Sequence, residues 1–245
     1  MPCPLRSAAS NGSRPDVRLF LFDIDGTLLT VRGAGRTALG RAMAAVYGTS
    51  GAIDQYDFRG RTDPRIILDL MSQAGIPESV IRERLPQCFD VYVEELRGQI
   101  GDGSRVQVMP GIADIVRALS SRPDAIVGLL TGNIEPGAHV KLRPTGLLPF
   151  FRVGAFGSDN PDRRCLPEVA CTRAQQLLGH AFSFDRVTII GDTPLDVDCA
   201  RACGALAVAV ATGQHPAQEL AGCAPDLLFA DFSDVPAALK ALTAP

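Results

Sequence analysis

The sequence predicts an α/β fold: a doubly wound parallel sheet with a small α-helical domain inserted after the first strand. A short apolar run from Val17 to Phe22 predicts that first strand, and helical periodicity without a convincing strand follows from Val31 to Met109. From Pro110 onward, apolar runs alternate with helical stretches, which is typical of parallel β-α-β units. A chain of 245 residues is long enough for one such core and a smaller module.

The element pattern divides the chain into three parts. We expect residues 1–15 to be a flexible tail, residues 16–30 and 110–245 to form the core domain, and residues 31–109 to form the helical domain. In the helical domain, helices are predicted at 35–47, 64–73 and 78–97, the last in two pieces because Pro86 removes a helical hydrogen bond. The later core strands are predicted at 125–130, 152–155, 186–190, 205–210 and 226–229. The core helices are predicted at 111–121, 136–145, 166–178, 194–203 and 234–242.

Composition excludes several classes of function. The net charge is −3 and no basic run is present, so no nucleic-acid or anionic-membrane partner is expected. No apolar stretch approaches the ~20 residues of a membrane span, and the first residues lack the apolar centre of a signal peptide. The seven cysteines contain no C-x-x-C pair and are interpreted as reduced structural residues. We therefore expect a cytoplasmic protein.

The first predicted strand ends in two carboxylates, Asp23 and Asp25, followed by Gly26 and Thr27. Alternate residues of an extended segment share a face, so both carboxylates start on the same side. Like charges this close repel, and a divalent cation or a retained proton would relieve the repulsion. The structural alternative is an ordinary strand followed by an Asx-type turn.

Two further strand ends carry polar groups that can meet this pair. One predicted strand ends in Thr131, Gly132 and Asn133, and a later one in the segment from Gly191 to Asp196. In doubly wound sheets, ligands bind outside the carboxyl ends of the strands. Oxygen ligands alone favour a hard cation such as Mg²⁺, and a hydroxyl, backbone amides and a cation together hold a phosphoryl group. The pattern therefore indicates phosphoryl transfer.

The same motifs resemble a known family. Asp-x-Asp-Gly-Thr from Asp23, Thr131 after a second strand, and Gly-Asp-x-x-x-Asp from Gly191, in that order, are similar to the haloacid dehalogenase-like hydrolase superfamily. The resemblance extends over essentially the whole chain from Val17. The helical insertion resembles the cap of subclass I, and the chain as a whole resembles the phosphoglycolate-phosphatase-like branch.

This resemblance implies a Mg²⁺-dependent phosphatase acting on a small phosphorylated metabolite through an aspartyl phosphate. Asp23 would be the nucleophile, and Asp25 the acid that protonates the leaving oxygen and then activates water. The implied Mg²⁺ ligands are Asp23, the backbone carbonyl of Asp25, and Asp192. Residues of the same motifs are implied at the phosphoryl group: Gly26, Thr27, Thr131, Gly132 and Asn133.

The basic residue of the family departs from the usual pattern. Members normally carry a Lys before the last acidic motif, whereas this chain has lysines only at 141 and 240, and Lys141 resembles a packing position. Arg163 is the expected substitute, with Arg164 as second choice, because a guanidinium can bridge carboxylate and phosphate. Asp196 either caps a helix begun at Thr193 or orients the basic residue or a metal-bound water.

Substrate and alternatives stay open at this stage. Arg36 and Arg61 of the helical insertion are candidates to meet an anionic substrate tail. A phosphomutase and a non-catalytic binding protein on the same fold are the alternatives, and the chain could be a monomer or a homodimer. The presence of Asp25 argues against a dehalogenase of this family, and the lack of a lysine in the insertion argues against a phosphonatase.

Overall fold

The computed structural model of the protein describes residues 17–179 and 182–244. Its framework is a six-stranded sheet, and every neighbouring pair of its strands runs parallel. The strands of the protein are β1 (Arg18–Phe22), β2 (Leu29–Thr30), β3 (Gln107–Val108), β4 (Ala125–Thr131), β5 (Val153–Phe156), β6 (Val187–Gly191), β7 (Leu206–Val210) and β8 (Leu227–Phe229). The order across the large sheet is β5-β4-β1-β6-β7-β8. The predicted core strands and the α/β fold class are thereby confirmed.

Alternate side chains of β1 enter two different cores. Phe20 and Phe22 pack with α4 (Ile112–Ser120) and α9 (Val235–Leu242) on one face of the sheet. Leu19 and Leu21 pack on the other face. The helices there are α6 (Leu166–Leu178) and α7 (Pro194–Cys203). Helices cover both faces, which explains why β1 and β4 are apolar without alternation.

The segment between β2 and β3 is helical, and one prediction for it was wrong. Its helices are α1 (Ala34–Tyr47), α2 (Asp63–Gln73) and α3 (Glu78–Ile100). Helix α3 runs unbroken through Pro86, which lies on the exposed face. The opposite face buries Ile81, Cys88, Tyr92 and Leu96. Burying four such side chains offsets the cost of about 3 kcal/mol for a proline inside a helix.

Several short elements escaped prediction. Strands β2 and β3 form an antiparallel pair in which Leu29 lies opposite Val108, so the stretch from residue 31 to 109 does contain a strand. Strands of two residues are too short for an alternating pattern to indicate them. Helix α8 (Ala217–Gly222) was also not predicted. The β2–β3 pair joins the two ends of the helical insertion next to the end of β1.

Two further expectations concern the N-terminal tail and a membrane-spanning segment. The expected flexible tail, residues 1–15, lies outside the described residues. Among the described residues, no helix combines the length and the apolar character needed to cross a membrane. The separation into a core domain and a cap domain stays a prediction.

Candidate active site

A cavity of about 370 Å³ lies where the carboxyl ends of β1, β4 and β6 meet the helical insertion. Most of the predicted site residues line it: Asp23, Asp25, Gly26, Arg36, Arg61, Thr131, Gly132, Asn133, Arg163 and Asp192. Thr27 and Asp196 are buried and contact these lining residues instead. The cavity therefore brings together side chains that are more than a hundred residues apart in the chain.

Asp23 is the carboxylate that follows the last residue of β1. It is buried, and its Oδ1 lies 3.0 Å from Nη2 of Arg163. Burial raises the pKa of Asp23 to about 6, the Arg163 charge opposes this rise, and the carboxylates of Asp196 and Asp25 add to it. A buried carboxylate next to one guanidinium is poorly solvated and therefore well suited to attack an electrophile.

Arg163, and not Arg164, reaches the cavity. Arg163 is buried and contacts Asp23, Asp196 and the carbonyl oxygen of Leu130 through Nη2. Arg164 is exposed and pairs with Asp162 at 3.0 Å. A guanidinium between two carboxylates stays charged, so Arg163 supplies a fixed positive charge next to Asp23.

Asp196 makes contacts that fit both interpretations, the helix cap and the neighbour of the basic residue. Its Oδ2 accepts hydrogen bonds from the backbone N and the hydroxyl of Thr193, at 3.0 and 2.7 Å, and completes a capping box at the start of α7. Its Oδ1 accepts a bond of 2.5 Å from Nη2 of Arg163. One carboxylate thus caps the start of a helix and contacts the arginine, because its two oxygens serve different partners.

Asp192 follows β6 and completes an acidic group with Asp23 and Asp196. One carboxylate oxygen from each lies within 4.8 Å of the others. The pKa of Asp192 is raised to about 8, mainly by burial and further by the other two carboxylates. Thr27 donates a hydrogen bond of 3.1 Å to Asp192 Oδ1, which places this predicted substrate residue behind the cavity.

The surroundings of Asp192 fit a small cation. Asp196 accepts hydrogen bonds from Arg163 and Thr193, and Asp192 accepts one from the hydroxyl of Thr27. A Cβ atom at Gly213 would lie 1.7 Å from Asp192 Oδ2, so the loop after β7 leaves room only for a glycine there. Buried carboxylates with raised pKa values and an oxygen-only donor set match the ligand preference of Mg²⁺.

The end of β4 supplies hydrogen-bonding groups to the cavity. Thr131 Oγ1 accepts bonds from the backbone N of Asn133, at 3.3 Å, and from its Nδ2, at 2.8 Å. Neither bond uses the hydroxyl proton of Thr131. Asn133 Nδ2 also donates to Asp25 Oδ2 at 2.8 Å. Thr131 can therefore donate its proton to a phosphoryl oxygen while Asn133 connects it to Asp25.

Lys141 lies at the cavity, although in the sequence it resembles a packing position of the family and not the catalytic one. It is buried, and its Nζ lies 2.6 Å from Asp25 Oδ2 and 2.5 Å from Asn133 Oδ1. It projects from α5 (Glu135–Leu142), whose buried face also carries Gly137 and Ala138. A lysine on the buried face of a short helix was the signal that could have identified it, since a buried charge requires partners.

The helical insertion contributes a docked segment to the cavity. The backbone N of Asp63 donates to the carbonyl oxygen of Gly132 at 2.8 Å, and Asp63 Oδ2 accepts from the backbone N of Ile134 at 2.9 Å. Thr62 Oγ1 donates to the carbonyl oxygen of Pro161 at 2.8 Å. A Cβ atom at Gly132 would lie 2.0 Å from the carbonyl oxygen of Arg61, which explains the glycine. Asp63 was also missed from the sequence.

The two predicted arginines of the insertion have different surroundings. Arg36 donates to the carbonyl oxygens of Ile53 and Tyr56, and its Cζ lies 4.1 Å from the centroid of the Phe58 ring. Arg61 is exposed and lies 3.8 Å from Asp69. Both line the cavity. Arg36 is committed to holding its own segment, so Arg61 has the greater freedom to reach a substrate.

Comparisons with known proteins show what the chain as a whole is similar to. The model of the haloacid dehalogenase-like hydrolases matches residues 17–204. A phosphoglycolate phosphatase of Synechococcus elongatus is 30% identical over 229 residues, which cover 93% of this chain and 98% of that protein. A solved hydrolase from Pseudomonas syringae has a TM-score of 0.68 at 21% identity, covering 93% of this chain and 100% of the other. CbbY from Rhodobacter sphaeroides, in complex with phosphate, has a TM-score of 0.65 at 20% identity, covering 89% and 96%.

Proposed function

The chain belongs to the haloacid dehalogenase-like hydrolases, and we propose that it hydrolyses a small phosphate monoester with Mg²⁺, through a phosphoryl group carried by Asp23. The observation that supports this most is the arrangement of Asp23 beside Arg163, with Asp25 on the same cavity. A binding protein needs neither a nucleophile nor an acid in this arrangement. The phosphatase relative that covers nearly the whole chain supports the same reaction class.

The first half of the reaction transfers the phosphoryl group to the protein. A carboxylate oxygen of Asp23 attacks phosphorus, and the bond from phosphorus to the leaving oxygen breaks. Asp25 gives its proton to that oxygen, so an alcohol leaves. Arg163 offsets the charge that gathers between Asp23 and the phosphoryl oxygens, and the Thr131 hydroxyl, held by Asn133, can donate to one of those oxygens.

The second half restores Asp23. Water attacks phosphorus and its proton passes to Asp25, which left the first step as a carboxylate. The bond between phosphorus and Asp23 breaks, and inorganic phosphate leaves. The sum is one monoester and one water converted to an alcohol and phosphate, so the protein ends as it began.

The residues present fit Mg²⁺. Asp23, Asp192 and the backbone carbonyl of Asp25 would hold it. When bound, Mg²⁺ offsets negative charge on the phosphoryl oxygens and on the two carboxylates. Thr27 keeps Asp192 in place from behind, and Gly213 leaves the carboxylate room to stay there.

We propose that residues 31–109 are a cap that selects the substrate. The segment around Asp63 lines the cavity and is hydrogen-bonded to the loop that follows β4. A cavity of about 370 Å³ suits a small metabolite. The relative named phosphoglycolate phosphatase supports a short acidic substrate of that kind, and Arg61 is the proposed contact for its anionic tail.

Phosphate release from a panel of small monoesters tests this function. The panel contains phosphoglycolate, sugar phosphates and nucleoside monophosphates, each with Mg²⁺ and with EDTA. We expect Mg²⁺-dependent release, with the ranking across the panel identifying the substrate class. Isomerisation of a sugar phosphate without release of phosphate would instead indicate a mutase. A folded protein that changes no member of the panel would contradict the proposal.

Replacement of Arg163 with Met is expected to lower kcat/KM by about 10²- to 10³-fold, because the transition state loses a fixed positive charge in a water-poor site. Arg164→Met, the matched control, should retain activity within about 3-fold, since its guanidinium pairs with Asp162 at the surface. Steady-state kinetics on the best substrate of the panel measures both. Equal losses in the two variants would contradict the assignment of Arg163.

The stability of the metal-free protein should fall as pH rises. Burial raises the pKa of Asp23 and of Asp63 to about 6, and that of Asp192 to about 8, from the ordinary aspartate value of 3.8. A carboxyl group with a raised pKa in the folded state contributes its stability below its unfolded pKa. That contribution is lost as pH rises through the folded value.

We therefore expect the Tm in EDTA to fall by on the order of 5 °C between about pH 5 and about pH 8.5. Mg²⁺ should reverse most of that fall, because it binds the ionised carboxylates. Asp192→Asn should show a smaller fall in EDTA, since it removes the group with the highest pKa. Thermal scans in EDTA and in Mg²⁺ measure the effect, and a Tm that rises with pH in EDTA would contradict it.

A further inference from the structure

Lys141 forms a hydrogen bond with one of the two carboxylate oxygens of Asp25, the proposed general acid. Asp25 Oδ2 accepts hydrogen bonds from Lys141 Nζ at 2.6 Å and from Asn133 Nδ2 at 2.8 Å. An oxygen that accepts two N–H donors has little capacity left for a proton, so proton exchange with a substrate falls to Oδ1. The side chain of Asp25 is 42% exposed, so without these bonds it could rotate. The two hydrogen bonds therefore determine which Asp25 oxygen can give a proton to the substrate.

Lys141 also fixes the orientation of Asn133. A lysine ammonium only donates hydrogen bonds, so the Asn133 atom 2.5 Å from Nζ must be the carbonyl Oδ1. Nδ2 then faces Asp25 and Thr131, to which it donates. If the amide turned over, its oxygen would point at the Asp25 carboxylate. One ammonium group thereby orders two side chains of the cavity.

The residues around Lys141 keep its ammonium group in a fixed, buried position. The side chain of Lys141 is 5% exposed. Asp63 faces it from the helical insertion; burial raises the pKa of Asp63, and the positive charge of Lys141 reduces that rise. A Cβ atom at Gly35 would lie 3.5 Å from Nζ. A buried ammonium needs charged partners, and Asp25 and Asp63 provide them. The lysine is therefore held between the strand ends and the insertion.

We propose that Lys141 is a positioning residue for proton donation, presenting Asp25 Oδ1 to the leaving oxygen while holding Oδ2. This inference rests on the proposed function. In the first step the bond from phosphorus to the leaving oxygen breaks, and the proton moves from Asp25 Oδ1 to that oxygen. An alkoxide leaves poorly without this proton, whereas p-nitrophenolate leaves as a stable anion. The effect of removing Lys141 should therefore depend on the leaving group.

The test compares two phosphate monoesters that differ in their need for a proton. The leaving group of ethyl phosphate is a strongly basic alkoxide that needs a proton, whereas that of p-nitrophenyl phosphate is a stable phenolate anion. The measured quantity is kcat/KM, because it reports the steps up to the first phosphoryl transfer. We expect Lys141→Met to lose about 100-fold on ethyl phosphate and less than about 3-fold on p-nitrophenyl phosphate. Asp25→Asn should show the same contrast more strongly.

The controls separate this role from a structural one. Lys240→Met changes the other lysine of the chain, which is exposed on α9, and should leave both esters unaffected. Lys141→Gln keeps a hydrogen-bonding side chain and serves if the Met variant does not fold. The Gln variant should also lose more kcat/KM on ethyl phosphate than on p-nitrophenyl phosphate, but with a smaller difference than the Met variant.

Several outcomes would overturn the inference. Equal losses on both esters would mean that Lys141 acts on the fold or on the phosphoryl group and not through Asp25. A loss confined to esters with a carboxylate tail, such as phosphoglycolate, would make Lys141 a substrate contact. In both cases the wild type is active and the proposed function stands. A wild type that hydrolyses neither ester nor any member of the panel would overturn the proposed function together with this inference.

Discussion

Asp23→Asn is expected to lower kcat/KM for phosphate monoesters by on the order of 10⁴-fold or more, because an amide does not form the aspartyl phosphate. The amide oxygen can still accept the hydrogen bond that Arg163 gives to Asp23 Oδ1. Since burial disfavours the ionised carboxylate, the variant should fold as well as the wild type or better. Phosphate release and the Tm measure the two expectations.

Asp198→Asn is the matched control for this variant. Asp198 is exposed on α7, close in sequence to the acidic group but on the solvent side. Its replacement should leave activity and Tm nearly unchanged. Turnover by Asp23→Asn at more than a trace level would exclude Asp23 as the nucleophile, whereas loss of the folded state in that variant would contradict the expected tolerance of the site for an amide.

Removal of Mg²⁺ is expected to lower activity by on the order of 10³-fold, because two buried carboxylates then oppose the approach of a phosphate dianion. Asp192→Asn should raise the Mg²⁺ concentration for half-maximal activity by about 10- to 100-fold. Titration of EDTA-treated protein with Mg²⁺ measures both effects.

Thr27→Val provides a graded comparison for the metal experiment. It removes the hydroxyl that donates to Asp192 Oδ1 but keeps the shape of the buried side chain. We expect a smaller increase in the required Mg²⁺ than for Asp192→Asn. Full activity of the wild type in EDTA would contradict a role for the metal, and an unchanged Mg²⁺ requirement in Asp192→Asn would remove Asp192 from the proposed ligands.

Much of the fold follows from local features of the sequence. Strands such as β4 are apolar throughout because helices cover both faces of the sheet, and that pattern is visible in the sequence. The polar residues that end β1, β4 and β6 meet because parallel strands place their carboxyl ends at one edge. Asp23, Thr131 and Asp192 could thus be predicted to lie together.

Long side chains from helices escaped prediction because their reach depends on packing. Lys141 reaches Asp25 only because α5 directs its buried face toward the strand ends, and the spacing from Thr131 does not reveal that direction. Asp63 enters the site from the insertion, whose docking depends on the close approach at Gly132. Such contacts join distant parts of the chain and leave no periodic signal.

Chemical trapping of the phosphoryl group on the protein tests the central claim most directly. The wild type is mixed with a large excess of its best substrate and Mg²⁺, quenched in acid, and reduced with borohydride, which converts an aspartyl phosphate into homoserine. We predict homoserine at position 23 by peptide mass spectrometry, and none there in the Asp23→Asn variant or without substrate. Homoserine at position 25, or an active enzyme that gives no homoserine at all, would contradict the assignment of Asp23 as the nucleophile.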